Sequence, residues 1–196
     1  MKKLTCFCGN SFEIDLENKI DLLKNPEISD KILENNFLEY KCPSCGKILK
    51  PEYTLEFFGE NLSLTMIPEI ERDSLLAGNI ELQTDQVVVG YPELKEKFII
   101  QKFSYDDKII ELIKLYILKK INSNLDIKIL FSNMENNNLI FHIFGLKEKE
   151  TGISKIPEHI YTSINKNLNE RLKDPEILGL LSLPYRSVNK ISTEVN

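Results

Sequence analysis

"LTCFCGNSF" (Leu4–Phe12) and "YKCPSCGKI" (Tyr40–Ile48) each carry two cysteines followed by a glycine. How these two stretches are read decides the fold. Zinc binds thiolate at about 2.3 Å, so two sulfurs of one tetrahedral site lie about 3.8 Å apart. Cys42-Pro43-Ser44-Cys45-Gly46 meets that need with a tight turn, because Pro43 pre-sets one dihedral and Gly46 can leave at positive φ. Backbone N–H groups around such a turn can point at sulfur and offset its charge. Cys6-Phe7-Cys8 is shorter. In an extended segment residues i and i+2 point the same way, so the two sulfurs can converge on one ion while Phe7 turns to the opposite face. The expectation is one Zn²⁺ held by Cys6, Cys8, Cys42 and Cys45. Two alternatives stand beside it: one of Cys6 and Cys8 is a packed thiol, or the metal site has been lost.

The chain around these stretches has 196 residues, 42% hydrophobic and 28% charged, with net charge -5. That supports one full core with a satellite, or two small domains. The acidic balance argues against a nucleic-acid partner. No apolar tract reaches membrane-spanning length, and the two N-terminal lysines are not followed by a signal-type apolar run. The expected compartment is therefore the cytoplasm. Thiols stay reduced there, so paired cysteines read as metal ligands before disulfides.

The segments map onto an α+β chain. The N-terminal part is expected to be a zinc-ribbon-like β-hairpin module with an inserted helix. "NSFEIDL" alternates like a half-buried strand and makes a hairpin tipped by Cys6–Gly9. "NPEISDKILENN" is the inserted helix, with Asn25 as cap and Pro26 at its first position. "FLEYKC" and "KILKPEYTLEFF" flank the second cysteine pair, and "FFGENLSLTMIP" turns at Gly59–Asn61. This module spans 1–68, and 69–84 is a linker or peripheral helix stopped at Gly78.

A small α+β domain is expected over 85–196. It opens with the buried strand "DQVVVGY" and a short helix "YPELKEKFIIQKF". "SYDDKIIELIKLYILKKI" is the strongest helix, with Ser104 and Asp107 at capping-box spacing. Nine of the thirteen residues from Ile109 to Ile121 are apolar, more than one narrow stripe can hold. That predicts a central helix meeting strands at 126–131 and 139–145. "IPEHIYTSINKNLNERL" is a last helix opened by Pro157, and no element is assigned after Asp174.

No residue pattern argues for catalysis. His142 falls in an alternating strand and His159 near a helix start, both far along the chain from the cysteines. Asp106 and Asp107 stand at a helix N-terminus, where acids are favoured without any chemistry. Lys95, Lys97 and Lys102 alternate with acids and read as a solvated face. A catalytic zinc keeps an open position and usually takes His or carboxylate, which this site lacks.

The combination of Cys6, Cys8 and Gly9 with Cys42-Pro43-Ser44-Cys45-Gly46 resembles the bacterial and archaeal CpXC-domain proteins, named for two Cys-Pro-x-Cys motifs. "VVVGYPELKEK" and "DDKIIELIKLYILKK" extend the resemblance over roughly residues 1–150. It implies a zinc-ribbon-like module with no assigned activity. The first motif departs from the pattern, lacking the proline and one residue. In spacing alone, the cysteines are also similar to the zinc centre of the redox-regulated bacterial heat-shock chaperone. The function expected from all this is a non-enzymatic zinc protein that binds a protein partner or self-associates. The alternative is a redox sensor that releases zinc on thiol oxidation.

Overall fold

Leu4 and Phe12 face each other across an antiparallel ribbon of β1 (Lys2–Thr5) and β2 (Ser11–Ile14). The structure is a computed structural model and describes residues 1–121 and 126–191. The mixture of helices and strands makes the chain α+β. It divides into two compact units, with the division between Leu94 and Lys95.

In the first unit, β3 (Lys19–Asp21) leads to α1 (Glu27–Leu33). Asn25 does not cap this helix with its side chain. Its amide donates to the Asp21 carbonyl at 3.0 Å, and Pro26 takes the N-cap position. A second small ribbon follows, β4 (Tyr40–Lys41) with β5 (Ile48–Leu49). Next come β6 (Leu55–Gly59) and β7 (Leu62–Ile67), the expected hairpin turning at 59–61. A 3-10 turn at Glu69–Glu71 and α2 (Arg72–Leu76) fill the stretch read as a linker or peripheral helix, and Gly78 follows at φ +73°.

β8 (Gln86–Val89) then pairs parallel to β7, giving a four-stranded sheet in the order β3-β6-β7-β8. The segment 85–89, grouped from sequence with the second domain, thus lies in the sheet of the first unit. Val87, Val88 and Val89 are all buried there, as are Leu55, Phe57, Leu64 and Met66. A strand buried on both faces reads as an unbroken apolar run, as "VVV" does. β3 pairs parallel to β6, a strand too short to show alternation in the sequence.

α3 (Gly90–Lys102) carries the boundary between the units, and α4 (Asp107–Ile121) is the central helix of the second unit. Ile109, Ile110, Leu112, Ile113, Leu115 and Ile117 are buried. α4 packs against β9 (Lys128–Glu135), α5 (Glu158–Lys166) and a 3-10 turn at Val188–Lys190. Its cap is not Ser104, which sits at φ +55° after the end of α3. Asp106 takes that place, its carboxylate accepting the Lys108 N–H at 2.8 Å.

β10 (Asn138–Lys147) and β11 (Glu150–Pro157) complete a meander ordered β11-β10-β9. β9 and β10 turn at Asn136 and Asn137, both at positive φ, the conformation a two-residue hairpin demands. β11 is an edge strand that the sequence pattern does not reveal, with residues alternately exposed and half-buried. After α5 come α6 (Leu168–Arg171) and α7 (Pro175–Leu180), the latter capped by Asp174. The unassigned tail up to residue 191 is therefore part of the core, with Leu180, Leu181, Tyr185 and Val188 buried. Residues 192–196 lie outside the described residues.

Charge also enters this core. Lys114 is 0% exposed and donates to Glu96 at 3.0 Å and to Glu111 at 2.8 Å. Each carboxylate accepts one backbone N–H as well, Glu96 from Phe131 and Glu111 from Val188. The triad thus ties α3, α4, β9 and the terminal 3-10 turn together. Burial pushes Glu96 up to about 7, against the pull of Lys114 and with Glu111 adding repulsion.

Candidate metal centre

The two cysteine stretches form matching knuckles at the ends of the two small ribbons. In the second, the Gly46 N–H closes on the Cys42 carbonyl at 2.9 Å, and the Cys42 N–H on the Lys47 carbonyl at 2.8 Å. In the first, Gly9 closes on Cys6 at 2.9 Å and Cys6 on Asn10 at 2.8 Å. The pattern is the same with one residue fewer, so Asn10 stands where Lys47 does. The expected extended geometry of Cys6-Phe7-Cys8 is not what forms. β1 stops at Thr5, and Cys6 to Gly9 make a turn. A turn aims both sulfurs inward and leaves Phe7 on the outside, 94% exposed. Gly9 at φ +85° and Gly46 at φ +75° let each knuckle turn back into its ribbon, a conformation that costs an L-residue about 1–2 kcal/mol.

These turns bring all four sulfurs within 4.8 Å of one another. The Cys6 and Cys45 sulfurs are 3.6 Å apart, and those of Cys8 and Cys42 3.8 Å. None of the four cysteines is in a disulfide. Both short separations run between the knuckles, and they match the spacing of about 3.8 Å that thiolates on one tetrahedral zinc require. The leading cysteine of each knuckle, Cys6 or Cys42, is buried with Leu49, and Leu4 and Phe12 pack against them. The trailing cysteine, Cys8 or Cys45, is exposed.

Donors surround the buried sulfurs. The backbone N–H groups of Cys45 and Ser44 point at the Cys42 sulfur, and its neighbours' thiols add to them. Together they outweigh burial and lower its pKa to about 6. The Asn10 side-chain amide adds a donor at 3.9 Å. At Cys6 the Cys8 N–H acts in the same direction. Burial and the sulfurs of Cys45, Cys42 and Cys8 outweigh it, pushing that thiol up to about 12. Of the two buried thiols, Cys42 therefore gives up its proton before Cys6. Four thiol donors at this spacing, two of them supported by N–H groups, fit a soft or borderline divalent ion such as zinc.

The remaining sequence candidates lie elsewhere. His142 is in β10 with its ring against Phe144, and His159 is exposed on α5. Asp106 caps α4. Asp107 pairs with Lys97 and with Arg186, the latter at 3.3 Å. Lys97 corrects the reading of a solvated lysine face, since its side chain is nearly buried against Asp107, while Lys102 is exposed and Lys95 half-buried. Asn10 is a site residue that sequence reasoning misses. The signal for it is its place directly after Cys-x-Cys-Gly, where the closing turn needs a residue whose side chain can reach sulfur.

Comparison with known proteins agrees with the geometry. Residues 4–114, more than half of the chain, match the model of the family described as CpXC protein, and the chain belongs to that family. It is also 27% identical over 220 residues to an uncharacterised protein of Treponema pallidum (strain Nichols), covering 99% of this chain and 100% of the relative. No solved structure matches. No described helix is long and apolar enough to cross a membrane.

Proposed function

We propose that this CpXC protein is a non-enzymatic cytoplasmic zinc protein. Cys6, Cys8, Cys42 and Cys45 hold one structural Zn²⁺ that fixes a protein-interaction module. The observation that carries this reading is the convergence of four sulfurs from two glycine-closed knuckles, with two cross-knuckle separations of 3.6 and 3.8 Å. All four ligands come from the protein, which leaves no open position for substrate and supports a structural role over a catalytic one. Zinc would join the N-terminal ribbon to the ribbon at 40–49. Each ribbon is too small to hold its shape alone, so binding energy of about 10–16 kcal/mol would dominate their association.

The interaction role is supported by what the ribbons expose. Phe7 is 94% exposed at the tip of one knuckle, and Ile48 is 64% exposed beside the other. Large apolar side chains held in water on a rigid turn suit a protein partner, and a net charge of -5 disfavours nucleic acid.

A second reading, zinc release on oxidation, is favoured by one observation. Cys8 and Cys45 are exposed while each lies within 4 Å of a buried sulfur of the other knuckle. Peroxide would oxidise an exposed thiolate to a sulfenic acid. Attack by the neighbouring buried thiolate would then form the disulfide and expel hydroxide, freeing the metal. Peroxide titration of the zinc-loaded protein with a chelating dye separates the two. Metal retained until the fold melts supports the structural site. Zinc released with loss of two thiols at low peroxide establishes the sensor instead.

A further inference from the structure

In the second unit, α4, the end of β11 and α5 leave a groove of about 390 Å³. Its walls are Ile113, Ile156, Ile160 and Ile164, with Tyr116 and Arg171 at the mouth. Ile113 and Ile164 are buried, so the floor is part of the core rather than a surface ripple. The volume falls at the lower end of the range of small-ligand sites, and such sites combine an apolar body with a few placed polar groups.

Arg171 is the placed group here. It is exposed, and it has no charged partner among the described residues. Arg171 is the cation among the residues that line the groove. A cation beside an apolar cleft is complementary to a ligand with an apolar body and one anionic end. A planar guanidinium matches a carboxylate in particular, with two parallel hydrogen bonds. We propose that this groove binds a free medium-chain fatty acid, with its chain along the isoleucines and its carboxylate on Arg171. A diffusible ligand suits the site better than a protein helix, because the groove holds only a few side chains' worth of apolar volume.

The test is a calorimetric titration of the zinc-loaded full chain with decanoate, and with decanamide as its neutral counterpart. Decanoate is expected to bind at one saturable site with Kd near ~0.1 mM, an ordinary efficiency for a ligand of this size. Arg171→Gln should weaken decanoate about tenfold and leave decanamide unchanged, since it removes the charge-assisted bond alone. Ser163→Trp fills the groove from an exposed position on its wall and should abolish both. Sedimentation is run on the same samples. No saturable decanoate binding overturns the proposal, and so does binding that survives Ser163→Trp. Concentration-dependent self-association lost in Ser163→Trp would likewise overturn it, by showing that a second copy occupies the groove.

Discussion

Replacing Lys114 by methionine tests whether the buried ion triad organises the second unit. The ammonium is 0% exposed and lies 3.0 Å from Glu96 and 2.8 Å from Glu111. Methionine keeps most of the stem but leaves two carboxylates facing each other out of water. Each retains a single backbone N–H, from Phe131 or Val188, which does not neutralise either. Removing one partner of a buried pair costs about 3–5 kcal/mol, and Lys114 is the cation that hydrogen-bonds both carboxylates, with Lys97 acting on Glu96 and Lys190 on Glu111 through charge, so the upper end is expected. For a unit of this size each kcal/mol is worth about 4–8 °C, so the melting temperature should fall by roughly 20–40 °C. The assay is thermal and urea unfolding followed by far-UV circular dichroism. Adding Glu96→Gln to the same chain removes one of the stranded charges and should recover part of the loss, a coupling that independent sites would not show. A Lys114→Met protein within about 1 kcal/mol of wild type would refute the reasoning.

Glu96 also gives the protein a pH signature. Its folded pKa, pushed up to about 7, lies above the ordinary 4.5, so the folded state binds this proton more tightly than the unfolded chain. The stability it contributes is full below about pH 4.5 and is lost as pH rises through about 7; urea midpoints across that window should show the slope, and Glu96→Gln should remove it. Asp106→Ala deletes the acceptor for the Lys108 N–H and should destabilise the second unit by about 1 kcal/mol, measured by the same unfolding curves. At the first knuckle, Gly9→Ala meets nothing within 4 Å but must hold φ +85°, so it should cost about 1–2 kcal/mol. Competition with a chelator would show this as weaker metal binding, and unchanged affinity would mean the turn is not as described.

How legible these features are in the sequence depends on what each residue type advertises. The cysteine pairs announce their partnership, because two thiols and a glycine at turn spacing have few other uses. The local shape of the first pair is less visible: "CFCG" suits a strand as well as a turn, and only the closing bond from Gly9 to Cys6 decides it. α4 is visible because its apolar residues exceed one stripe, and "VVV" is visible as a buried strand. Which unit that strand joins is not, since parallel pairing to β7 is a long-range choice. β11 is hidden by its exposed edge, where "ETGISKIP" carries one-sided burial and few large side chains. The charged residues Glu96, Lys97, Glu111 and Lys114 mislead most. Pattern reading places charge in water, whereas here each is satisfied inside the fold by an opposite charge or a backbone donor. The tail after Asp174 escapes for a related reason. Its buried residues Ser187 and Asn189 look like loop, yet Asn189 accepts the Ile129 N–H at the edge of β9.

The central claim is that four cysteines hold one zinc ion, and metal analysis of the purified protein tests it most directly. The protein is prepared in reducing buffer and its metal content is measured by mass spectrometry, beside Cys6→Ser and Cys42→Ser chains prepared the same way. One zinc per wild-type chain is expected, with X-ray absorption showing four sulfurs at about 2.3 Å, and little or none in either variant. Wild-type protein that stays folded with no bound metal, or zinc that persists at full occupancy in both the Cys6→Ser and the Cys42→Ser chain, would contradict it.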